Sequence, residues 1–195
     1  TTLIFENHEQ WTGNITSLRL DYFQNAAKDG DVMYIKRITF INVPQYEIDI
    51  SGNKSGKHFA SVDHTEVSFD ETEGAVLLRV RGGSDVKAIM DLSSESLSTT
   101  EYTKLFVRYM IPVTNSCEKY ESTVYFTTSD SSGYSETKAI YLTGNLIADG
   151  KYHTAVFDLT KKGSWTGNIG KIRFDYFQDY CVDGDVIYIE YIALG

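Results

Sequence analysis

Five residues stand out for what their side chains could do together: Phe106, Arg108, Tyr125, Tyr134 and Tyr141. Aromatic rings beside a guanidinium make a platform for a hydroxyl-rich ligand. The rings stack, and Arg supplies a planar fork of donors. Exposed β-sheet tyrosines that only form cross-strand pairs are the plain alternative. Trp11 and Trp165 carry the same stacking chemistry. The pattern around both favours a structural Trp wedged at a sheet edge.

Arg173 and Asp175 recur as Arg19 and Asp21. Two residues apart on a strand, each pair shares one face. They suit either ligand hydroxyls or a structural ion pair, and we favour the latter, with Glu190 of the last strand as a partner for Arg173. Asp179, Asp183 and Asp185 offer hard oxygens of the kind calcium takes, as do Glu66, Asp70 and Glu71. The spacing is not that of an EF-hand, and Asp183-Gly184 reads first as a turn. His8, His58, His64 and His153 lack any metal-ligand spacing. No nucleophile elbow, phosphate loop or Cys–His pair is present, and no two carboxylates stand out as a catalytic pair.

The elements that position these residues read as strands. The chain has 195 residues, 42% of them hydrophobic, with 14 Tyr, 10 Phe and two Pro. Period-2 alternation predicts strands at Glu66–Phe69, Ala75–Arg81, Val86–Asp91, Lys104–Ile111, Ser122–Thr128, Thr137–Leu142, His153–Asp158, Lys171–Phe177 and Val186–Leu194. Asp149-Gly150, Asp183-Gly184 and similar pairs separate them. Many short strands predict an all-β, antiparallel jelly-roll β-sandwich. Alternation points Leu105, Val107, Val124, Phe126, Ile172 and Phe174 inward. It leaves Arg108, Tyr125 and Arg173 on what we expect to be one sheet's outer face.

A long self-match organises the chain. WTGNITSLRLDYFQNAAKDGDVMYIKRITF from Trp11 aligns without a gap to WTGNIGKIRFDYFQDYCVDGDVIYIEYIAL from Trp165, with 17 identities over 30 positions. The offset of 154 residues is the size of a whole domain. We read residues 1–43 as the C-terminal fragment of a preceding repeat module and 44–195 as one complete module. The other reading makes both copies pseudo-symmetric edges of one sandwich.

Composition excludes several partners. The net charge of -9 disfavours a nucleic-acid partner and docking on anionic lipid. No apolar run is long enough to span a membrane. Cys117 and Cys181 match no metal motif; they either form one disulfide between loops in an exported protein or stay as thiols.

The stretch Asp149-Gly150-Lys151-Tyr152-His153, then Val156-Phe157-Asp158-Leu159, Trp165-Thr166-Gly167-Asn168-Ile169, Ile172-Arg173-Phe174-Asp175 and Ile189-Glu190-Tyr191-Ile192 resembles jelly-roll carbohydrate-binding modules beside bacterial glycoside hydrolases. The resemblance covers about residues 140–195 well and 100–128 loosely. The family's Trp before the His is Tyr152 here, and its Asp in the last motif is Glu190, with Lys36 in the first copy. The resemblance implies export to the extracellular space or bacterial cell surface, glycan binding on a sheet face or at the loop ends, and often a structural calcium. Glu66, Asp70 and Glu190 are the oxygen set expected for it. The expected function is non-catalytic: a module that targets a secreted glycan-active protein to polysaccharide, with neighbouring modules of the same polypeptide as its other partners. The alternative is a spacer module of a surface protein with no sugar site.

Overall fold

The computed structural model describes residues 28–30, 32, 46–50, 57–83, 85–178 and 181–195. Contacts divide the chain into two compact units, Thr1–Val43 and Pro44–Gly195. All elements below belong to the second unit. Trp11, Arg19, Asp21, Lys36, His8 and Asp179 lie outside the described residues.

Among the described residues, eleven strands build two antiparallel sheets: β1 (Tyr46–Ile48), β2 (Phe59–Asp63), β3 (Thr65–Asp70), β4 (Ala75–Val80), β5 (Lys87–Asp91), β6 (Lys104–Met110), β7 (Thr123–Thr128), β8 (Ala139–Tyr141), β9 (Tyr152–Asp158), β10 (Ile169–Asp175) and β11 (Val186–Leu194). One sheet runs β3-β4-β11-β6-β9, with β1 also paired to β11, and the other runs β2-β5-β10-β7-β8. The two sheets form a jelly-roll β-sandwich, the fold class expected from alternation.

The inner faces include the six residues oriented inward from sequence, Leu105, Val107, Val124, Phe126, Ile172 and Phe174. Leu105, Val107, Phe157, Ile187 and Ile189 of the six-stranded sheet enclose the core with Met90, Val124, Phe126, Ile172 and Phe174 of the five-stranded one. Each such side chain contributes about 1.5–3 kcal/mol on burial. Trp165 is 7% exposed and stands edge-on to Phe126, ring centroids 4.8 Å apart. Its Nε1–H donates to the carbonyls of Thr99 (3.1 Å) and Tyr102 (3.0 Å). Trp165 is therefore a structural wedge, unavailable for stacking on a ligand.

Two strands escaped the alternation pattern. β1 has three residues, and β2 carries a register shift between Phe59 and Ser61 that breaks its period. The strand expected at Thr137–Leu142 is shorter, because Glu136–Lys138 form a 3-10 turn. Lys138 of that turn is buried, and its ammonium donates to the carbonyls of Ser131 (2.8 Å), Ser132 (3.2 Å) and Gly133 in the preceding loop. A buried ammonium needs such acceptors, and the chain bends to supply them.

The expected partnership of Arg173 with Glu190 is not formed. Arg173 is on β10 of the five-stranded sheet, whereas Glu190 is on β11 of the six-stranded sheet and pairs with Arg108. Alternation assigned the faces correctly, but no strand's own sequence says which sheet it joins.

Candidate functional site

The outer face of the five-stranded sheet is built from the central strand β10. Register places Ile89 of β5 and Tyr125 of β7 on either side of Arg173, with Ser61 and Ala139 at the ends of that row. The adjacent row runs Asp63, Lys87, Asp175, Thr123, Tyr141. These residues share a face because each is two positions from its strand neighbour in the other row, while Ala88, Val124, Ile140 and Phe174 between them point into the core.

Arg173 is the centre of this face. Its guanidinium carbon lies 4.7 Å from the centroid of the Tyr125 ring and 5.9 Å from that of Tyr134, which the loop after β7 folds back over it. Its Nε–H donates to Asp175 Oδ1 at 2.7 Å, one Nη donates to the other carboxylate oxygen, and Asp85 stands 3.4 Å from the same Nη. The remaining Nη makes no hydrogen bond among the described residues. Asp175 is buried, so its carboxylate holds the fork in one orientation. Lys87 lies beside this pair and meets Asp85 at 2.5 Å and Asp63 at 3.2 Å.

Glu136 binds the two tyrosines at the edge. It accepts from Tyr125 Oη at 2.9 Å and from Tyr141 Oη at 2.8 Å. These hydrogen bonds, Tyr141's first, hold the Glu136 carboxyl below its ordinary range. Burial and then the Glu136 bond push the Tyr125 phenol up, and the same bond and then burial raise Tyr141. Burial raises Tyr134, whose hydroxyl is enclosed and makes no hydrogen bond among the described residues. All three phenols are therefore neutral at physiological pH. Tyr141 is the most open, 58% exposed at the sheet edge. Beside it, Glu121, Ser122, Leu142, Gly144 and Asn145 line a hollow of about 260 Å³ that also takes in Tyr141.

The structure divides the five residues singled out from sequence. Tyr125, Tyr134 and Tyr141 come together around Arg173. Phe106 and Arg108 belong to β6 of the other sheet. Phe106 is 1% exposed despite facing away from the inter-sheet core, so it offers no stacking surface. Arg108 makes a similar but separate arrangement, 5.5 Å from the centroid of the Tyr152 ring and ion-paired to Glu190. Arg173, weighed for ligand hydroxyls but read first as part of an ion pair, and Glu136 complete the cluster. Arg173 was legible as an outward residue, but its neighbour Tyr125 is 48 positions away and only the β10–β7 register joins them. Nothing in the sequence marked Glu136.

The expected calcium oxygens are not brought together. Glu66 pairs with Arg81, Asp70 accepts from the amides of Thr72 (2.9 Å) and Glu73 (3.2 Å), and Glu190 pairs with Arg108. Between β10 and β11, Asp183 accepts from the Gly82 amide and Asp185 from those of Ser116 and Val182, so these carboxylates fasten the turn to neighbouring segments. Among the described residues no group of three or more His, Cys, Asp or Glu side chains is placed to hold a metal ion.

This sandwich has the fold of the jelly-roll carbohydrate-binding modules. A solved family 29 carbohydrate-binding module is 14% identical, covers 76% of this chain and 86% of its own, and superposes with a TM-score of 0.50. A mutant of a family 29 module is 16% identical over 78% of this chain and 93% of its own, with a TM-score of 0.49. A second mutant, complexed with cellulohexaose, is 14% identical over 78% and 89%, with a TM-score of 0.48. No protein-family model and no curated protein matches the sequence.

Proposed function

We propose that this chain is a non-catalytic carbohydrate-binding module that recognises polysaccharide on the outer face of its five-stranded sheet. The observation that carries the reading is the oriented Arg173 guanidinium, held by Asp175 between the Tyr125 and Tyr134 rings, with donors left for a ligand. Sugar hydroxyls fit such a fork, and the apolar face of a pyranose fits a tyrosine ring. The shared fold of the solved family 29 module supports the same class. In this reading the module works outside the cell or on its surface. It keeps a tethered glycan-active protein at high local concentration on its substrate. Residues 1–43, which repeat the module's closing strands, are the tail of a neighbouring module in the same polypeptide.

Affinity electrophoresis through gels carrying soluble polysaccharides tests this. The protein is retarded on at least one glycan, and Tyr125→Ala lowers the affinity by about tenfold, the worth of one stacked ring. Unretarded migration on every glycan favours a spacer module without a sugar site. Full retention by Tyr125→Ala moves the site off this face.

A further inference from the structure

The segments that carry the two cysteines, 64 positions apart in sequence, are joined by one carboxylate. Asp185 Oδ1 accepts from the Ser116 amide at 2.7 Å, and its Oδ2 accepts from the Val182 amide at 3.0 Å. Cys117 directly follows the first amide and Cys181 directly precedes the second. Asn115 adds a second clamp between the same segments: its side chain donates to the Val186 carbonyl (2.7 Å) and accepts from the Val186 amide (3.1 Å). Cys117 is buried in the core, and Cys181 packs against that core from the 176–186 loop. Each thiol now faces a carbonyl, Cys117 that of Lys119 (2.6 Å) and Cys181 those of Gly83 and Gln178 (3.6 Å each). Closing a bridge requires both thiols to leave these carbonyls and turn toward each other.

We infer that Cys117 and Cys181 are a dithiol pair that closes to an intramolecular disulfide under a small-molecule disulfide oxidant and staples these two segments together. Cys181, the less buried, gives up its proton to solvent and attacks one sulfur of the oxidant. The oxidant's S–S bond breaks and one thiolate leaves to take up a proton. Cys117 then loses its proton and attacks the Cys181 sulfur, expelling the second thiol. Two electrons and two protons pass from the cysteines to the oxidant. Burial pushes the Cys117 thiol up to about 11, and the nearby Cys181 sulfur contributes to that rise. Closure is therefore slow at neutral pH and quickens by about tenfold for each unit of rise in pH up to that value.

The test is incubation of the purified chain with glutathione disulfide at alkaline pH, acid quench, alkylation in denaturant and peptide mapping. The expected product is a monomer with a Cys117–Cys181 peptide pair, no alkylated cysteine, and a Tm raised on the order of 10 °C. Cys117→Ser stops at a single glutathione adduct on Cys181. Two alkylated cysteines, a lasting glutathione adduct on the unaltered chain, or only intermolecular dimers would overturn the inference. An unchanged Tm after closure would overturn the stapling.

Discussion

Arg173 and Asp175, two residues apart on β10, form a two-pronged ion pair in which the carboxylate is buried and the guanidinium lies against the Tyr125 ring. The pair stabilises the face and orients it. Replacing Arg173 by Ala strands a buried carboxylate and costs about 3 kcal/mol. The double replacement Arg173→Met with Asp175→Leu recovers most of that stability while abolishing glycan retardation. Urea denaturation with affinity gels on the three proteins separates the two roles.

Gly170 sits in the register shift between β10 and β7. A Cβ there would stand 2.7 Å from Thr127 Oγ1 and 3.2 Å from the Thr127 carbonyl oxygen. Gly170→Val forces the two strands apart, at a cost of about 1–3 kcal/mol. It also moves Tyr125 relative to Arg173, so glycan affinity falls although neither residue has changed. Thermal unfolding and affinity electrophoresis check both effects.

Trp165→Ala removes the wedge on Phe126 and leaves the carbonyls of Thr99 and Tyr102 without their donor. We expect a loss of about 3–5 kcal/mol by chemical denaturation. The folded fraction retains its glycan affinity, since Trp165 is not on the face proposed for the glycan. Trp165→Phe loses less, because it keeps a six-membered ring against Phe126 while forfeiting the donor and part of the indole volume.

Glu95 carries a pH dependence. Hydrogen bonds from Lys57 first, then Tyr46 and Ser94, hold its carboxyl at about 2, below the usual 4.5. A carboxyl lowered on folding stabilises the native state above its unfolded value and loses that contribution as pH falls through its folded value. The stability difference between the protein and Glu95→Gln is therefore full above about pH 4.5 and disappears toward pH 2. Tm measured against pH for both proteins gives the comparison.

Much of the layout was written locally. Alternation alone oriented Leu105, Val107, Val124, Phe126, Ile172 and Phe174 inward and Tyr125 and Arg173 outward, because a strand's side chains must alternate and the core takes the apolar set. The repeated Trp segment marked closing strands, and its second copy forms β10 and β11. The turns at Asp149-Gly150 and Asp183-Gly184 likewise fell where those pairs stand.

What the tertiary structure decided is which strands lie side by side. Arg173 meets Tyr125 rather than Glu190, and Arg108 meets Glu190 rather than Tyr125, because β10 pairs with β7 while β11 pairs with β6. Strand pairing depends on the closure of the whole sandwich, and backbone hydrogen bonds between strands are indifferent to the side chains they bring together. Phe106 shows the same division. Its outward direction was in the sequence, but its burial was set by long-range packing.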